Sequence, residues 1–434
     1  MVTRRDFLKR MGAMAAAGVV APSILDQSSA FARKVAASDR INIGLIGLRN
    51  MGWGDLNDML AFPETQCVAL CDVNSSLLKS RAAEIVKRSS RKPDLYGDYR
   101  KMLERKDIDV VVIGSPDHWH CLQMIDSCSA GKDVYVEKPI ANTIAECDLM
   151  AAASHHYNQV IQVGQQQRSG EHWHEMKRYI DSGKLGRIAK VNVWANFSYC
   201  NVPYAATEPT PKDIDFDMWL GPAPKREYNT RYYHGLWRMF WDYGGGLLTD
   251  WGVHLLDMAL WGMNVKSMPR RVVASGGNFC NPQNMAETFD TMSVVWEYDD
   301  FTINWSNQAF ESGPYGRCYG VEFVGENGSL VVNRENWQVY PLHNKISVEV
   351  REPDYTDRHR HMRNFLDCVR SRNKQTACTV DNGALCAKFA HLGNISARTG
   401  EALRYDEKRK AFDNREANKL LSREYRNGWK MPKF

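Results

Sequence analysis

Residues 41–54 decide the fold of the first half of the chain, and they run Ile41-Asn42-Ile43-Gly44-Leu45-Ile46-Gly47-Leu48-Arg49-Asn50-Met51-Gly52-Trp53-Gly54. The first six residues are mostly β-branched or apolar and predict a buried strand. Gly47 and Gly52 then allow a tight turn into a helix that packs closely on the strand. A strand, a glycine turn and a helix in this order are typical of the start of a parallel sheet with crossover helices.

The spacing of the glycines predicts a dinucleotide-binding loop, in which the amino terminus of the helix holds a diphosphate. Arg49 takes the place of the middle glycine of that pattern, so its side chain is expected over the phosphates or at the adenine edge. Asp72 ends the next predicted strand, where a carboxylate accepts hydrogen bonds from ribose hydroxyls and repels a 2′-phosphate. We therefore predict NAD rather than NADP. The alternative for Asp72 is that it caps the following helix.

From residue 39 to residue 164 the chain alternates strand-like and helix-like segments, which predicts a doubly wound parallel sheet of the Rossmann type. The predicted strands are 41–46, 66–71, 110–113, 134–136 and 160–163. The turn at Gly114-Ser115-Pro116 would approach the nicotinamide or its ribose, and His120 would orient the helix that follows. The residues expected at the cofactor are Gly47, Arg49, Asn50, Met51, Gly52, Asp72, Ser115, Pro116, His120, Glu137, Lys138 and Gln166.

Lys138 lies in Glu137-Lys138-Pro139, directly after the strand-like run 133–136. Ligands of open α/β sheets bind at the carboxyl ends of the strands, so the ammonium group is expected to face the cofactor. Pro139 fixes the chain direction just beyond, because its φ angle is locked. The alternative is a solvated lysine at a strand end, which is the commoner environment of this residue type.

Beyond residue 164 the pattern changes to alternating strands, which predicts an α+β domain over residues 165–434 with a large, mostly antiparallel sheet. The predicted strands are 188–194, 271–274, 291–297, 301–305, 321–324 and 330–333. One face of this sheet is expected to be open and to mediate self-association into a dimer or tetramer.

Residues 237–254 contain the densest group of chemically active side chains. Three glycines at 244–246 break the chain, after which Thr249 or Asp250 can start a helix. On that helix Asp250 and His254 are about one turn apart and share a face. A histidine, a carboxylate and a lysine together suit the removal of a proton from a hydroxyl group while a hydride leaves its carbon. The alternative is that His254 is a histidine of the domain core.

The glycine loop, Glu137-Lys138-Pro139 and the spacing of Asp250 and His254 together resemble the glucose–fructose oxidoreductase, inositol dehydrogenase and rhizopine catabolism (Gfo/Idh/MocA) family. The resemblance implies that Lys138 positions the substrate hydroxyl, Asp250 binds or orients the substrate and His254 exchanges the proton. It also implies a polyhydroxylated substrate, a sugar, glycoside or cyclitol. The residues expected to contact the substrate are Arg168, Tyr233, Trp237, Arg238 and Trp241.

The resemblance leaves three functions open. The first is an NAD-dependent oxidoreductase that transfers hydride between a ring carbon, for example C3, and a tightly bound nicotinamide. The second is a glycosidase that oxidises its substrate transiently and then eliminates the aglycone; that branch of the family is similar, but it carries Thr-His where this chain has Thr249-Asp250, which favours simple oxidation. The third is a non-catalytic sugar-binding protein.

The first 32 residues are predicted to be an export signal. They combine the twin-arginine motif at 3–10, an apolar stretch too short to span a bilayer, and a small-residue cleavage site at 30–32. Because the twin-arginine pathway carries folded proteins, we predict a periplasmic protein without a stable membrane anchor, exported with its cofactor. The alternative is a basic amphipathic helix at the amino terminus.

The composition argues against two other classes of function. A formal net charge of only +5 is too small for a nucleic-acid-binding surface. The eleven cysteines include no Cys-x-x-Cys pair and several lie inside apolar patterns. They are expected to be buried small hydrophobic residues, and no metal site is predicted.

Overall fold

The computed structural model describes residues 40–89, 91–352 and 355–434. The predicted export signal at residues 1–32 lies outside the described residues. Among the described helices, none has both the length and the apolar character needed to cross a membrane.

Six parallel strands form the first sheet, in the order β3-β2-β1-β4-β5-β6. Five of them confirm the predicted strands, and the three-residue edge strand β3 was not predicted, because Asp94 and Leu95 are exposed and give no apolar run. The strands are β1 (Ile41–Ile46), β2 (Thr65–Cys71), β3 (Asp94–Tyr96), β4 (Val110–Ile113), β5 (Asp133–Val136) and β6 (Ile161–Val163). The helices of this part are α1 (Asn50–Met59), α2 (Ser75–Ser89), α3 (Tyr99–Leu103), α4 (Asp117–Ser129) and α5 (Ile144–His156).

Eight strands form the second sheet, in the order β14-β13-β12-β11-β7-β10-β9-β8. Only β7 and β10 pair in parallel, so the prediction of a mostly antiparallel sheet is confirmed. The strands are β7 (Ile188–Ala195), β8 (Arg271–Gly277), β9 (Thr291–Glu297), β10 (Thr302–Asn307), β11 (Tyr319–Gly325), β12 (Gly328–Val332), β13 (Trp337–Pro341) and β14 (Val350–Arg351). Strands β13 and β14 were not predicted, and neither was the two-stranded sheet of β15 (Tyr405–Asp406) and β16 (Ala411–Phe412).

Helices cover one face of the second sheet, and the other face carries exposed polar side chains such as Lys190, Ser293 and Ser306. The helices after β6 are α6 (Glu171–Asp181), α7 (Phe216–Leu220), α8 (Thr230–Tyr233), α9 (Gly246–Asp250), α10 (Gly252–Gly262), α11 (Asp357–Ser371), α12 (Val380–Thr399) and α13 (Arg415–Lys419). The helix predicted to start at Thr249 or Asp250 begins earlier, at Gly246, whose φ of +70° favours glycine. It is divided at Trp251 into α9 and α10.

Helix α11 returns to the first sheet after the second sheet is complete. Its Met362, Phe365 and Leu366 pack in one cluster with Ile43 of β1 and Tyr135 of β5. The two parts of the chain therefore share a core, which holds the ends of the first sheet against the second part. Nine of the eleven cysteines are buried and none is in a disulfide bond, as the sequence predicts.

Candidate active site

A cleft of about 1110 Å³ lies at the carboxyl ends of β1, β4 and β5. Its wall on the first sheet includes Gly47, Asp72, Ser115 and Lys138. Its opposite wall comes from the second part of the chain, at residues 218–219, 233–235 and 237–238. The strand ends are where an open α/β sheet binds its ligand.

Two glycines of the glycine turn, Gly47 and Gly52, pack against Gly114 at the end of β4 with no room for side chains. This close packing leaves the backbone of the turn accessible to a diphosphate. Gly47 has a φ of +85°, and a Cβ on Gly52 would lie 2.3 Å from the carbonyl oxygen of Gly47. A Cβ on Gly114 would lie 2.3 Å from the Cα of Gly52. Gly52 therefore serves the packing of helix on strand and does not line the cleft, whereas Gly47 does.

Arg49 occupies the position before α1 and reaches toward the second part of the chain. Its guanidinium lies 5.1 Å from the centre of the Tyr233 ring, a cation–π distance. Asn50 follows with a φ of +34° and is exposed, and both residues line the cleft together with Met51. The predicted position of Arg49 at the edge of the cofactor site agrees with this arrangement.

Asp72 accepts hydrogen bonds from the backbone N–H groups of Leu48 and Asn74, each at 2.9 Å. Burial raises the pKa of this carboxyl, and the hydrogen bonds and Arg49 act in the opposite direction. The cap of α2 comes from Asn74, whose side chain accepts from the N–H of Leu77 at 2.7 Å. Asp72 is therefore not the helix cap, and it lies in the cleft wall where a ribose hydroxyl would bind.

Lys138 and Asp250 form the centre of the site. The Lys138 ammonium donates to Asp250 Oδ1 at 2.6 Å and to the Asp250 backbone carbonyl at 3.2 Å, and both side chains are buried. Tyr199 donates its hydroxyl to Asp250 Oδ2 at 2.6 Å, and Arg238 Nε lies 3.1 Å from Oδ1. Burial by itself would raise the pKa of Asp250, but Lys138 and Arg238 hold it well below its ordinary value. Asp250 is thus an ionised anchor for Lys138 and not a proton donor.

His254 lies on the next turn, with its ring centre 6.1 Å from that of Trp251. Its Nδ1 is buried and has no hydrogen-bond partner among the described residues. Burial and the positive charges of Lys138 and Arg334 lower the pKa of His254 well below its ordinary value. His254 is therefore held neutral, and a neutral imidazole has one ring nitrogen that can accept a hydrogen bond or a proton.

A set of buried side chains supports Lys138 from behind. Gln166 Nε2 donates to the Tyr135 hydroxyl and to Glu137 Oε1, each at 3.1 Å. Burial raises the pKa values of Glu137 and of Asp55, and the two carboxyls interact. Of these residues only Glu137 lines the cleft. Gln166 therefore lies behind the wall, bonded to Tyr135 and Glu137, and its predicted contact with the cofactor stays a prediction.

The imidazole of His120 lies between two carbonyl oxygens, those of Ser115 and Pro139, at 2.8 Å from each. It joins the loops that follow β4 and β5 and does not line the cleft. The expectation that it orients its surroundings agrees with this position. The predicted contact of His120 with the cofactor does not agree with this position, because both ring nitrogens already contact the carbonyl oxygens of Ser115 and Pro139.

Two predicted substrate residues lie outside the cleft. Arg168 makes three hydrogen bonds of 2.7–3.0 Å to the buried carboxylate of Asp257. Trp241 packs edge-on against Phe289 and lies under the Arg398 guanidinium. Both side chains are thus occupied elsewhere. Tyr233, Trp237 and Arg238 do line the cleft, on the wall opposite the glycine turn.

Sequence reasoning missed Tyr199, although it shares Asp250 with Lys138. One sequence feature could have indicated Tyr199: it lies four residues after the end of β7, in the segment Phe197-Ser198-Tyr199, which contains two aromatic residues. Asp117 is a second missed residue, a buried carboxyl in the cleft wall whose pKa is raised well above its ordinary value by burial.

The chain is similar to several known proteins. The chain is 32% identical over 162 residues to a glycosyl hydrolase family 109 protein of Shewanella putrefaciens. The match covers 34% of this chain and 35% of that protein. The chain thus spans about a third of the length of the curated relatives it matches first. The aldose–aldose oxidoreductase of Caulobacter crescentus, solved with glycerol, has a similar fold, with a TM-score of 0.64, 18% identity, and coverage of 84% of this chain and 99% of that one. The WlbA dehydrogenase of Bordetella pertussis, solved with NADH and UDP-GlcNAcA, has a TM-score of 0.62, 19% identity, and coverage of 85% and 99%.

Two family models cover most of the described chain. Residues 41–165 match the oxidoreductase family, NAD-binding Rossmann fold, and residues 170–321 and 325–431 match the oxidoreductase family, C-terminal alpha/beta domain. The first model describes residues 41–165, which contain the glycine turn and Asp72, as NAD-binding, so the prediction of NAD as the cofactor is confirmed. From the glycine turn to the end of the second sheet, the chain belongs to the Gfo/Idh/MocA family of NAD-binding oxidoreductases.

Proposed function

We propose that the protein is an exported oxidoreductase that removes hydride from a hydroxyl-bearing ring carbon of a sugar or glycoside, for example C3, with a nicotinamide that stays bound. The observation that carries this function is the buried Lys138–Asp250 ion pair, in which Lys138 lines the NAD cleft and Asp250 is followed on the next helical turn by His254. The structural neighbour solved with glycerol and named for aldoses supports a polyhydroxylated substrate.

Each residue has a distinct role in this reaction. The Lys138 ammonium binds the hydroxyl oxygen and stabilises the negative charge that develops on it. His254 accepts the hydroxyl proton on a ring nitrogen, and Asp250 holds the Lys138 ammonium group in place by a hydrogen bond of 2.6 Å. NAD, when bound, accepts the hydride from the same carbon. The alcohol loses one proton and one hydride, and a carbonyl group forms.

The walls of the cleft support a nicotinamide that stays bound. The indole N–H of Trp119 donates to the carbonyl oxygen of Trp219 at 2.9 Å, which fastens the second wall to the first. With Tyr233 and Trp237, this wall encloses the cleft opposite the glycine turn. Extended dialysis of the purified protein, followed by mass spectrometry of the released nucleotide, tests retention; protein free of nucleotide after mild dialysis would contradict it.

A glycosidase is the second candidate, and the identity with the glycosyl hydrolase family 109 protein favours it. After oxidation of C3, the proton on C2 becomes acidic, a base removes it, and the aglycone leaves with the electrons of the C1–O bond. The aglycone would take up a proton and leave a double bond between C1 and C2. Water would then add its oxygen at C1 and a proton at C2, and hydride returned from the reduced cofactor to C3 would give the free sugar, so that the net reaction is hydrolysis and consumes no cofactor. His254 is the neutral base available for the C2 proton.

One experiment separates these functions. The purified protein is incubated with free sugars and with nitrophenyl glycosides, without added NAD, while the absorbance of reduced nicotinamide and of nitrophenol are followed. Reduced nicotinamide with free sugars and no nitrophenol supports the oxidoreductase, whereas nitrophenol release supports the glycosidase. The variant His254→Asn should lose either reaction, and the exposed control His155→Asn should not. Sugar binding without either signal would indicate a non-catalytic sugar-binding protein.

Export rests on the amino-terminal motif alone, and a separate experiment tests it. A fusion of residues 1–39 to a fluorescent protein should reach the periplasm of a bacterium with a twin-arginine translocase. Replacing Arg4 and Arg5 together by lysine should keep the fusion in the cytoplasm. Equal export of both fusions would contradict a twin-arginine signal.

A further inference from the structure

Three strand ends of the second sheet meet beside Asp250 and His254. Tyr319 at the start of β11 pairs with Ala195 at the end of β7, and Val321 pairs with Val332 at the end of β12. The residues just past these strand ends, Phe197 and Arg334, therefore lie at the same end of the sheet. None of this region belongs to the lining of the NAD cleft.

Four half-buried aromatic side chains form a continuous surface at this end of the sheet, which we call the aromatic wall: Phe197, Tyr199, Trp251 and Tyr319. The centre of the Trp251 ring lies 4.6 Å from that of Phe197 and 4.9 Å from that of Tyr319. Phe197 and Tyr199 are 6.0 Å apart. Partly exposed aromatic rings of this kind offer flat apolar faces to the C–H groups of a sugar ring.

The aromatic wall joins the reaction centre directly. The Tyr199 hydroxyl donates to Asp250, and the Trp251 ring lies edge-on to the imidazole of His254. A sugar ring placed on the wall would thus present a hydroxyl to Lys138 and His254. The wall is therefore on the side of the reaction centre where a substrate must lie if the nicotinamide fills the cleft.

Arg334 stands over this wall with its charge unpaired. Its guanidinium lies 4.7 Å from the centre of the Trp251 ring, and its Nε donates to Gln167 Oε1 at 2.9 Å. In the described part of the chain, no hydrogen bond or ion pair engages its two terminal nitrogens. By contrast, Arg168 and Arg238 near the same centre each face a carboxylate.

An unpaired guanidinium that is half removed from water favours an anion that completes its hydrogen bonds. Two terminal nitrogens in a fixed plane match the two oxygens of a carboxylate or a sulfate. Arg334 and His254 lie against the same indole ring, so one hexose with its substituents can reach both.

We infer that the aromatic wall and Arg334 form a substrate subsite for a sugar with an oxyanion substituent, a carboxylate or a sulfate. This inference rests on the proposed function, because it places the substrate of that reaction. The sugar ring stacks on the wall, its oxyanion binds the terminal nitrogens of Arg334, and its reacting hydroxyl faces Lys138.

The test compares anionic sugars with their neutral counterparts on the NAD-containing protein. Methyl glucuronide and methyl galacturonide are paired with the matching methyl hexosides, and glucose 6-sulfate with glucose. Two quantities are measured: kcat/KM from reduced nicotinamide, and the dissociation constant by calorimetry. We expect the anionic member of at least one pair to be preferred about tenfold or more. Preference for uronides identifies the carboxylate, and preference for the sulfate identifies that group.

Variants of Arg334 connect the preference to this residue. R334Q should lower the ratio of anionic to neutral kcat/KM by about ten- to a hundredfold, since it removes a charge-assisted hydrogen bond. R334K keeps the charge and should lower the ratio less, which guards against a variant that fails to fold. The matched control is R351Q, because Arg351 also lies over a tryptophan, at 5.4 Å from Trp337, on the edge strand β14 two strands away from β12.

The outcomes separate this subsite from the reaction itself. Oxidation of neutral and anionic sugars with equal efficiency, unchanged in R334Q, overturns the subsite and leaves the proposed function standing. Tight binding of an anionic sugar that R334Q weakens, without any oxidation, supports the subsite and contradicts the proposed function.

Discussion

The Lys138 ammonium lies 2.6 Å from a carboxylate oxygen of Asp250, a residue 112 positions away in the sequence. This contact joins the end of β5 in the first sheet to the helix α9 in the second part of the chain. The two motifs that the sequence identifies separately are thus one buried ion pair.

Replacing Lys138 by methionine should lower kcat by about a hundredfold to a thousandfold, because the charge that stabilises the developing oxyanion is lost. Nucleotide affinity, measured by the fluorescence change on titration with NADH, should change little. The exposed Lys101→Met variant is the control and should keep full turnover. Turnover near the native rate in Lys138→Met would remove this residue from the reaction.

Replacing Asp72 by serine should shift cofactor preference toward NADP. Asp72 lines the cleft, and we expect its carboxylate to face the ribose hydroxyls and to repel a 2′-phosphate. We expect the ratio of NAD affinity to NADP affinity to fall about tenfold or more. Asp299→Ser, at a side chain that is 89% exposed, provides the control. An unchanged ratio would mean that Asp72 does not face the ribose.

Gly52, which packs behind the cleft wall, and Gly97, which lines the cleft, should respond very differently to substitution by alanine. A methyl group on Gly52 would lie 2.3 Å from the backbone oxygen of Gly47, whereas one on Gly97 meets nothing within 4 Å. Gly52→Ala should therefore weaken NAD binding and lower the melting temperature, and Gly97→Ala should do neither to a comparable extent. Thermal melts with and without NAD measure both effects, and equal behaviour of the two variants would contradict the packing described for Gly52.

Arg168→Met should reduce the free energy of unfolding by about 3–5 kcal/mol, because it leaves the buried Asp257 carboxylate without its partner. The double variant with Asp257→Leu should recover much of that loss, since no charge is then buried alone. The KM for the sugar should not change beyond the effect of stability. A large rise in KM with normal stability would instead return Arg168 to the substrate site.

His361 should make the protein less stable in mild acid. Burial lowers its pKa to about 4, whereas an unfolded histidine titrates near about 6.5. Below about pH 6.5 the histidine of the unfolded chain binds a proton, whereas that of the folded chain does not. The contribution of His361 to the free energy of unfolding is therefore complete above about pH 6.5 and is lost as the pH falls toward 4. The loss is about 2 kcal/mol at pH 5. Urea unfolding measures the free energy of unfolding at pH 5 and at pH 7.5. The difference between the two values should be smaller for His361→Gln than for the native protein or for the exposed control His155→Gln.

The strand and glycine patterns predict the first sheet well, because buried parallel strands are continuous apolar runs and the turn at Gly47 admits little else. Asp72, Lys138, Asp250 and His254 were found from strand ends and helical spacing, which are local properties. The sequence analysis predicted Arg168 at the substrate, whereas its side chain pairs with Asp257. That partner is 89 positions away, and no local sequence pattern indicates a buried ion pair between distant residues. Tyr199 was missed for the same reason, since its contact with Asp250 depends on where β7 ends in the second sheet.

The cleft and the aromatic wall are two different surfaces near Lys138. Lys138 lines the cleft, and its ammonium group would also bind the hydroxyl of a sugar that lies on the aromatic wall. In the arrangement proposed above, the nucleotide and the sugar would therefore bind to two different surfaces. A product can then depart and a new sugar can arrive while the nucleotide stays in place. In a compartment without a pool of free nucleotides, such a protein would carry its own store of reducing equivalents and pass them from one sugar to the next.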